Sequence, residues 1–256
     1  MTTAAHVSGD LRTDIAGGIA TIEFSHPKGN SLPAALLRLL SDEIARLGSV
    51  GDAKVIVLRS GGNGPFCGGA SFDEFRAITD PESGKAFFLG FGRLVLAMTR
   101  SPKFIVTRVQ GRVVGGGIGI LAASDYVIAD RRASLRLSEL AVGIGPFVVG
   151  PVIERKIGLA NFSAMAVDAD WRDAAWAERV GLYAKLCDNL GELDEVVGAQ
   201  ARTLAAANPD AMHELKRAFW RSTDDWGMLL EQRAALSGRM VLSDFTRRAI
   251  EAFAKR

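Results

Sequence analysis

Two apolar strand segments in the first half of this chain each run out into glycine, and each is followed at once by the start of a helix. Val55-Ile-Val-Leu58 leads into Ser60-Gly-Gly-Asn-Gly-Pro-Phe-Cys-Gly-Gly-Ala70, with an apparent helix start at Ser71. Phe104-Ile-Val-Thr-Arg-Val109 leads through Gly111 to the triple glycine Gly115–Gly117 and the short apolar helix Ile118–Ala123. Short apolar runs bounded by turn residues read as buried strands. With 256 residues, 48% of them hydrophobic, the chain is long enough to bury a large core around such strands.

The neighbouring segments fit the same α/β pattern. Ile19-Ala-Thr-Ile-Glu-Phe24 alternates and is rich in β-branched residues, so it predicts a strand. The loop His26-Pro-Lys-Gly-Asn-Ser31 follows it. Asn30 or Ser31 then caps a helix with Pro33 in its first turn, whose apolar face is Leu32, Leu36, Leu39, Leu40, Ile44 and Leu47. A further helix covers roughly 85–99, and Tyr126–Ala129 and Ser134–Leu137 read as strands.

From about Asn161 the pattern turns mostly helical, with one strand-like piece at Leu182–Cys187. Amphipathic helices are expected over 193–207, 210–222, 226–242 and 245–255. The expected organisation is an α/β core over 1–190 and a helical region over 191–256. No low-complexity linker separates them, so the helices should dock on something.

Charge and composition exclude several classes. Lysine plus arginine (31) nearly balances aspartate plus glutamate (29), with no concentrated basic stretch of the kind nucleic acid requires. No apolar run approaches the roughly 20 residues that span a bilayer, so no membrane partner is expected. The N-terminal residues lack the character of a signal or transit peptide, which predicts an unprocessed, cytoplasmic protein. Cys67 and Cys187 form no disulfide framework, and His6, His26 and His213 are scattered without metal-ligand spacing, so no metal is expected.

Three segments carry possible chemistry. The triple glycine opens a helix, so its free N–H groups and positive dipole end suit an anion or a developing oxyanion; tight packing accounts for three glycines equally well. Gly117-Ile-Gly-Ile-Leu-Ala122 also fits a dinucleotide fingerprint, but Asp130 follows too soon and the intervening helix is too short for a crossover. Phe66–Phe75 is a second display of N–H groups where strand gives way to helix. Glu139, at the end of a short strand among apolar neighbours, is the third. Such surroundings raise a carboxyl pKa towards the range of a general base, although a lone glutamate is often a paired structural carboxylate.

Taken together, these segments resemble the crotonase superfamily of enoyl-coenzyme A hydratases and isomerases, over almost the whole chain. Phe66–Phe75 is similar to the family pattern F-x-x-G-A-D-x-x-E followed by an apolar residue, with Ser71 in place of the aspartate. The resemblance implies a spiral of ββα units with a helical C-terminal trimerisation region, often paired into hexamers. It assigns the oxyanion-hole N–H groups to Ala70 and Gly116 and a catalytic acid/base to Glu139. It assigns contacts with coenzyme A to Lys28 and Gly29 in the Pro-Lys loop and to Ala70, Ser71, Phe72 and Asp73 along the pantetheine path. Phe253 and Lys255 fall where the family's last helix reaches a neighbour's coenzyme A.

Hydratases of the family carry a second glutamate two residues after the triple glycine, and that position is Gly119 here. One carboxylate favours double-bond isomerisation over hydration, with other single-acid reactions and an inactive acyl-CoA binder as alternatives. The missing side chain at Gly119 is expected to open volume for a bulkier acyl group. The expected partner is an acyl-CoA thioester, with coenzyme A as part of the substrate and no separate cofactor.

Overall fold

The computed structural model describes residues 9–254, so His6 and Lys255 lie outside the described residues. A six-stranded sheet organises the chain, its strands lying in the order Asp10–Ala16, Ile19–Ser25, Val55–Ser60, Ile105–Val109, Tyr126–Asp130 and Lys185–Cys187. Its first two strands, β1 (Asp10–Ala16) and β2 (Ile19–Ser25), form an antiparallel hairpin across Gly17-Gly18, both at positive φ. The sequence reading did not include β1. Six of its seven residues are polar or exposed enough to hide the alternation, and only Leu11 packs against the core.

After β2 comes α1 (Ala34–Gly48), then β3 (Val55–Ser60), the short α2 (Phe72–Arg76) and the long α3 (Pro81–Arg100). Pro33 occupies the N-cap position of α1, and neither Asn30 nor Ser31 caps it. Asn30 instead donates to the Gly61 and Pro65 carbonyls, and Ser31 bonds the His26 ring, so both knit the 26–31 loop. Leu39, expected on the buried face, is 44% exposed, and Leu37 is buried in its place. Leu37 packs against Gly90 of α3, which lets the two helices approach closely.

The strands β4 (Ile105–Val109) and β5 (Val113–Val114) lead to α4 (Gly116–Ala123). β6 (Tyr126–Asp130), β7 (Ser134–Arg136) and a 3-10 turn at Leu140–Val142 follow. From β2 to β9 (Lys185–Cys187) all sheet pairings are parallel, and β5, β7 and β8 (Arg172–Asp173) form a small second sheet. Between them lie α5 (Gly150–Asp168), broken by a left-handed Gly158, and α6 (Ala174–Arg179).

Helices cover both faces of the large sheet, as parallel strands require. One face carries Ile56, Leu58 and Ile105 against α1, α3 and α4. The other carries Val55, Val57, Val106 and Ile128 against Leu193, Val197 and Ala201 of α7 (Leu190–Ala205) and Met212 of α8 (Pro209–Phe219). α9 (Trp226–Met240) lies on α3, where Gly84 and Gly238 face each other with no room for a β-carbon on either. The last helix, α10 (Asp244–Ala254), reaches the 3-10 turn through Thr246, whose hydroxyl donates to the Gly143 carbonyl at 3.1 Å. The helices after residue 190 therefore dock on the sheet, on α3 and on the 3-10 turn of the same chain. Among the described residues no helix is long and apolar enough to cross a membrane.

Candidate active site

β3 and β4 are neighbouring parallel strands, so the segments leaving their carboxyl ends run side by side. Cys67 and Val113 form a parallel bridge, fixed by Phe66 N–H donating to the Arg112 carbonyl (2.9 Å) and Val114 N–H to the Cys67 carbonyl (2.9 Å). Ala70 and Gly116 each lie three residues past that pair, which brings the two glycine-rich segments onto one cavity of about 620 Å³. Crevices outside the carboxyl ends of parallel strands are where α/β proteins bind ligands.

Both predicted donors line this cavity. Around Ala70 the main chain is engaged: Leu32 N–H donates to the Gly69 carbonyl and Ser71 N–H to the Leu32 carbonyl. The Ala70 N–H itself has no acceptor among the described residues. The Gly116 N–H, first in α4, has none either, because the opening turn of a helix leaves its N–H groups unsatisfied.

Each glycine of the triple serves a different neighbour. Gly115 stands at φ +55, ψ −124, a conformation that side chains disfavour, and a β-carbon there would sit 3.1 Å from Oε1 of Glu139. A β-carbon on Gly116 would fall 2.4 Å from the Phe91 ring, and one on Gly117 would fall 2.9 Å from Cys67. Both readings of the triple glycine therefore hold: free N–H groups at its helix end and tight packing along its flanks. Cys67 lies under Gly117 rather than on the cavity wall, and burial pushes its thiol up to about 12, so it is no nucleophile at neutral pH.

Glu139 lines the cavity as the residue that opens the 3-10 turn, past the end of β7 rather than on the strand itself. Its Oε2 is buried and has no hydrogen-bond partner among the described residues. Desolvation raises its pKa from 4.5 to about 7, against a smaller lowering by main-chain hydrogen bonds from Glu139 and Ser138. A carboxyl poised there exchanges a proton readily at neutral pH.

The expected open space at Gly119 is absent. A β-carbon at Gly119 would lie 2.5 Å from Cγ1 of Val149, and Val149 is itself buried. The volume a second side chain would enter is filled by a valine from the start of α5, so the glycine adds no room for an acyl group.

Of the residues expected to touch coenzyme A, Ala70 and Phe72 line the cavity, whereas Lys28, Gly29, Ser71 and Asp73 do not. Lys28 and Asp73 form an ion pair, bridging the Pro-Lys loop and α2. Ser71 is buried and caps α2 through its hydroxyl, which accepts from the Glu74 N–H. The side chain of Phe253 is not described. Among the described residues, no three His, Cys, Asp or Glu side chains are grouped as metal ligands.

The sequence reading missed much of the wall. Phe88 meets Phe75 and Phe87 edge to face, α10 contributes Ala249 and Ala252, and Arg136 and Trp171 also line the cavity. The phenylalanines lie on helices whose faces periodicity could have matched; Arg136 needed the register of the small sheet.

Comparison with known proteins gives one consistent answer. The family model described as enoyl-CoA hydratase/isomerase matches residues 14–255. A probable enoyl-CoA hydratase of Rhizobium meliloti is 28% identical over 204 residues, 79% of this chain and 78% of that one. A peroxisomal fatty acid β-oxidation multifunctional protein of Arabidopsis thaliana is 28% identical over 88% of this chain, which spans only 31% of that longer protein. The crystal structure of an enoyl-CoA hydratase from Bacillus halodurans superposes with a TM-score of 0.88 at 22% identity, covering 94% of this chain and 99% of the other.

Proposed function

The chain belongs to the enoyl-CoA hydratase/isomerase family and is a crotonase-type enzyme, and from that premise we propose that it moves a double bond along an enoyl-CoA with Glu139 as its single acid/base. The thioester carbonyl accepts hydrogen bonds from the N–H groups of Ala70 and Gly116. The Glu139 carboxylate removes a C2 proton from a 3-enoyl thioester, and the electron pair moves into the carbonyl as an enolate forms. Protonated Glu139 then returns the proton at C4, so the double bond comes to lie between C2 and C3. Two preorganised main-chain donors favour the charge-bearing state over the neutral thioester, and the loss of one such donor typically costs about 3–4 kcal/mol.

One observation carries the choice of isomerisation. Glu139 lines the cavity with a buried, unpartnered carboxylate oxygen, while the position of the second hydratase glutamate is a glycine closed off by Val149. Syn hydration wants a water held between two carboxylates, and no second carboxylate lines the cavity among the described residues. Proton shuttling between two carbons needs only one base.

The reading extends to assembly and location. Exposed Leu159 and Val167 on α5 and Phe219 at the end of α8 are large apolar side chains that a homotrimer or dimer of trimers would cover. Two free, buried cysteines suit a reducing cytoplasm.

Turnover of a panel of 2-enoyl- and 3-enoyl-CoA thioesters by the wild type and Glu139→Gln tests the proposal. Isomerisation by the wild type should fall by about 10²–10⁴ in the variant. Equal activity in both proteins would remove Glu139 from the mechanism. Faster water addition than isomerisation would make the enzyme a hydratase, and binding without turnover of any thioester would make it an inactive binder.

A further inference from the structure

One charged group on the cavity wall has no task in the reaction. Arg136 ends β7, in register with Val114 of β5, and both line the same cavity as Glu139. Its main chain is structural, because its carbonyl accepts the Gly115 N–H at 2.9 Å. Its side chain is held at one point: Nε donates to the carbonyl of Ala169, the left-handed residue that ends α5. The two terminal guanidinium nitrogens, carrying four N–H donors, find no acceptor among the described residues. Glu139 does not neutralise this cation, since its Oε2 is unpartnered and its pKa is raised by burial rather than lowered by a guanidinium.

The rest of the wall makes the arginine more conspicuous. The cavity is otherwise lined mainly by phenylalanine, valine, alanine and glycine, with Arg136 the one cationic side chain on it among the described residues. Trp171, also on this wall, is 44% exposed, with the Arg112 guanidinium 5.5 Å from its ring centre. Asp168, the carboxylate at the end of α5, is already paired with Arg172. A planar carboxylate offers the terminal nitrogens of Arg136 two acceptors, whereas a purely hydrocarbon acyl chain offers none.

We propose that Arg136 is a specificity-determining residue that receives a carboxylate at the far end of the acyl chain, so that the preferred substrates are thioesters of dicarboxylic acids. This rests on the acyl-CoA reading of the cavity given above. A planar carboxylate matches the free edge of the guanidinium, and the anchor at Ala169 fixes the orientation of that edge. A phosphate of coenzyme A is the less suitable anion, because Lys28 and Gly29, the residues expected at the nucleotide end, lie outside this cavity whereas Arg136 shares it with Glu139.

Calorimetric binding of a matched pair, adipoyl-CoA and hexanoyl-CoA, tests the assignment without requiring turnover. The wild type should bind adipoyl-CoA at least about tenfold more tightly than hexanoyl-CoA, the scale of one charge-assisted pair. Arg136→Gln should abolish that preference while leaving hexanoyl-CoA affinity within about twofold, and Arg136→Lys should restore part of it. Equal affinities in the wild type would overturn the proposal and leave the Glu139 mechanism intact. An equal loss for adipoyl-CoA, hexanoyl-CoA and coenzyme A alone in Arg136→Gln would also overturn it, assigning the arginine to the fold or to the nucleotide. A surviving preference in a protein that isomerises nothing would sustain this inference and defeat only the catalytic one.

Discussion

The two flanks of α4's glycine-rich start are built on opposite principles. On the Gly115 side the main chain is bare so that a carboxylate can lie against it, and one oxygen of that carboxylate, Oε2, stays buried without a partner among the described residues. On the Gly119 side the bare main chain is covered by Val149, and the contact is ordinary dense hydrocarbon packing. Glycine is required at both, but at one it makes room for chemistry and at the other it makes room for core. The difference shows that an absent side chain is not a vacancy: what replaces it decides whether the site gains space, water or neither.

Substitutions can break this contrast at graded strength. Among the glycines the largest effect is expected at Gly116→Ala, between the flanks, where the new β-carbon would fall 2.4 Å from the Phe91 ring. The backbone or the ring must shift, and misplacing the Gly116 N–H should lower kcat by about 10²–10³. Steady-state turnover of a 3-enoyl-CoA checks this, and an unchanged kcat would show that the Gly116 N–H does not meet the developing oxyanion.

Next in size is a stability effect of opposite direction. The folded-state pKa of Glu139 (about 7) lies above its ordinary value of 4.5. Its contribution to folding is therefore fully present below about pH 4.5 and lost as pH rises through about 7. Glu139→Gln removes that dependence, so the variant should gain on the order of 2–3 kcal/mol relative to the wild type between about pH 4.5 and pH 8. Denaturant midpoints across that range measure it. A constant difference would mean that the carboxyl is not desolvated in the folded protein.

The smallest expected effect sharpens the other flank. Gly→Ala in a helix interior normally stabilises by up to about 1 kcal/mol. At Gly119 the β-carbon would instead press on Val149 at 2.5 Å, so Gly119→Ala should destabilise by about 1–2 kcal/mol. Adding Val149→Ala should recover part of that loss. A stabilised Gly119→Ala protein would show that Val149 yields easily and that the flank is less tightly filled than described.

How much of this was legible in the sequence follows from the range of the interactions. The buried strands at Val55 and Ile105 are local patterns and read correctly, as does most of the α1 face, where Leu37 rather than Leu39 is buried. β1 is a polar edge strand held by pairing with β2, so its own residues carry little signal beyond Gly17-Gly18. The first half of α5 escaped because a helix broken at Gly158 has no sustained periodicity. Within the site, the glycine-rich strand ends and Glu139 stood out by residue type and spacing. Val149 against Gly119 and Arg136 on the cavity wall did not, because both depend on which face of a distant element meets the site.

The central claim, that Glu139 alone moves the proton of an acyl thioester in this cavity, is tested most directly by deuterium wash-in. A 3-enoyl-CoA incubated in heavy water with enzyme is followed by NMR at C2 and C4. The wild type should form the 2-enoyl product at a rate that rises with pH through about 7, where the Glu139 carboxyl loses its proton, with deuterium entering these carbons as far as the carried proton exchanges with solvent. The Glu139→Gln protein, folded and binding the thioester, should incorporate none above the uncatalysed background. Wash-in or product formation at the wild-type rate in Glu139→Gln would contradict the account.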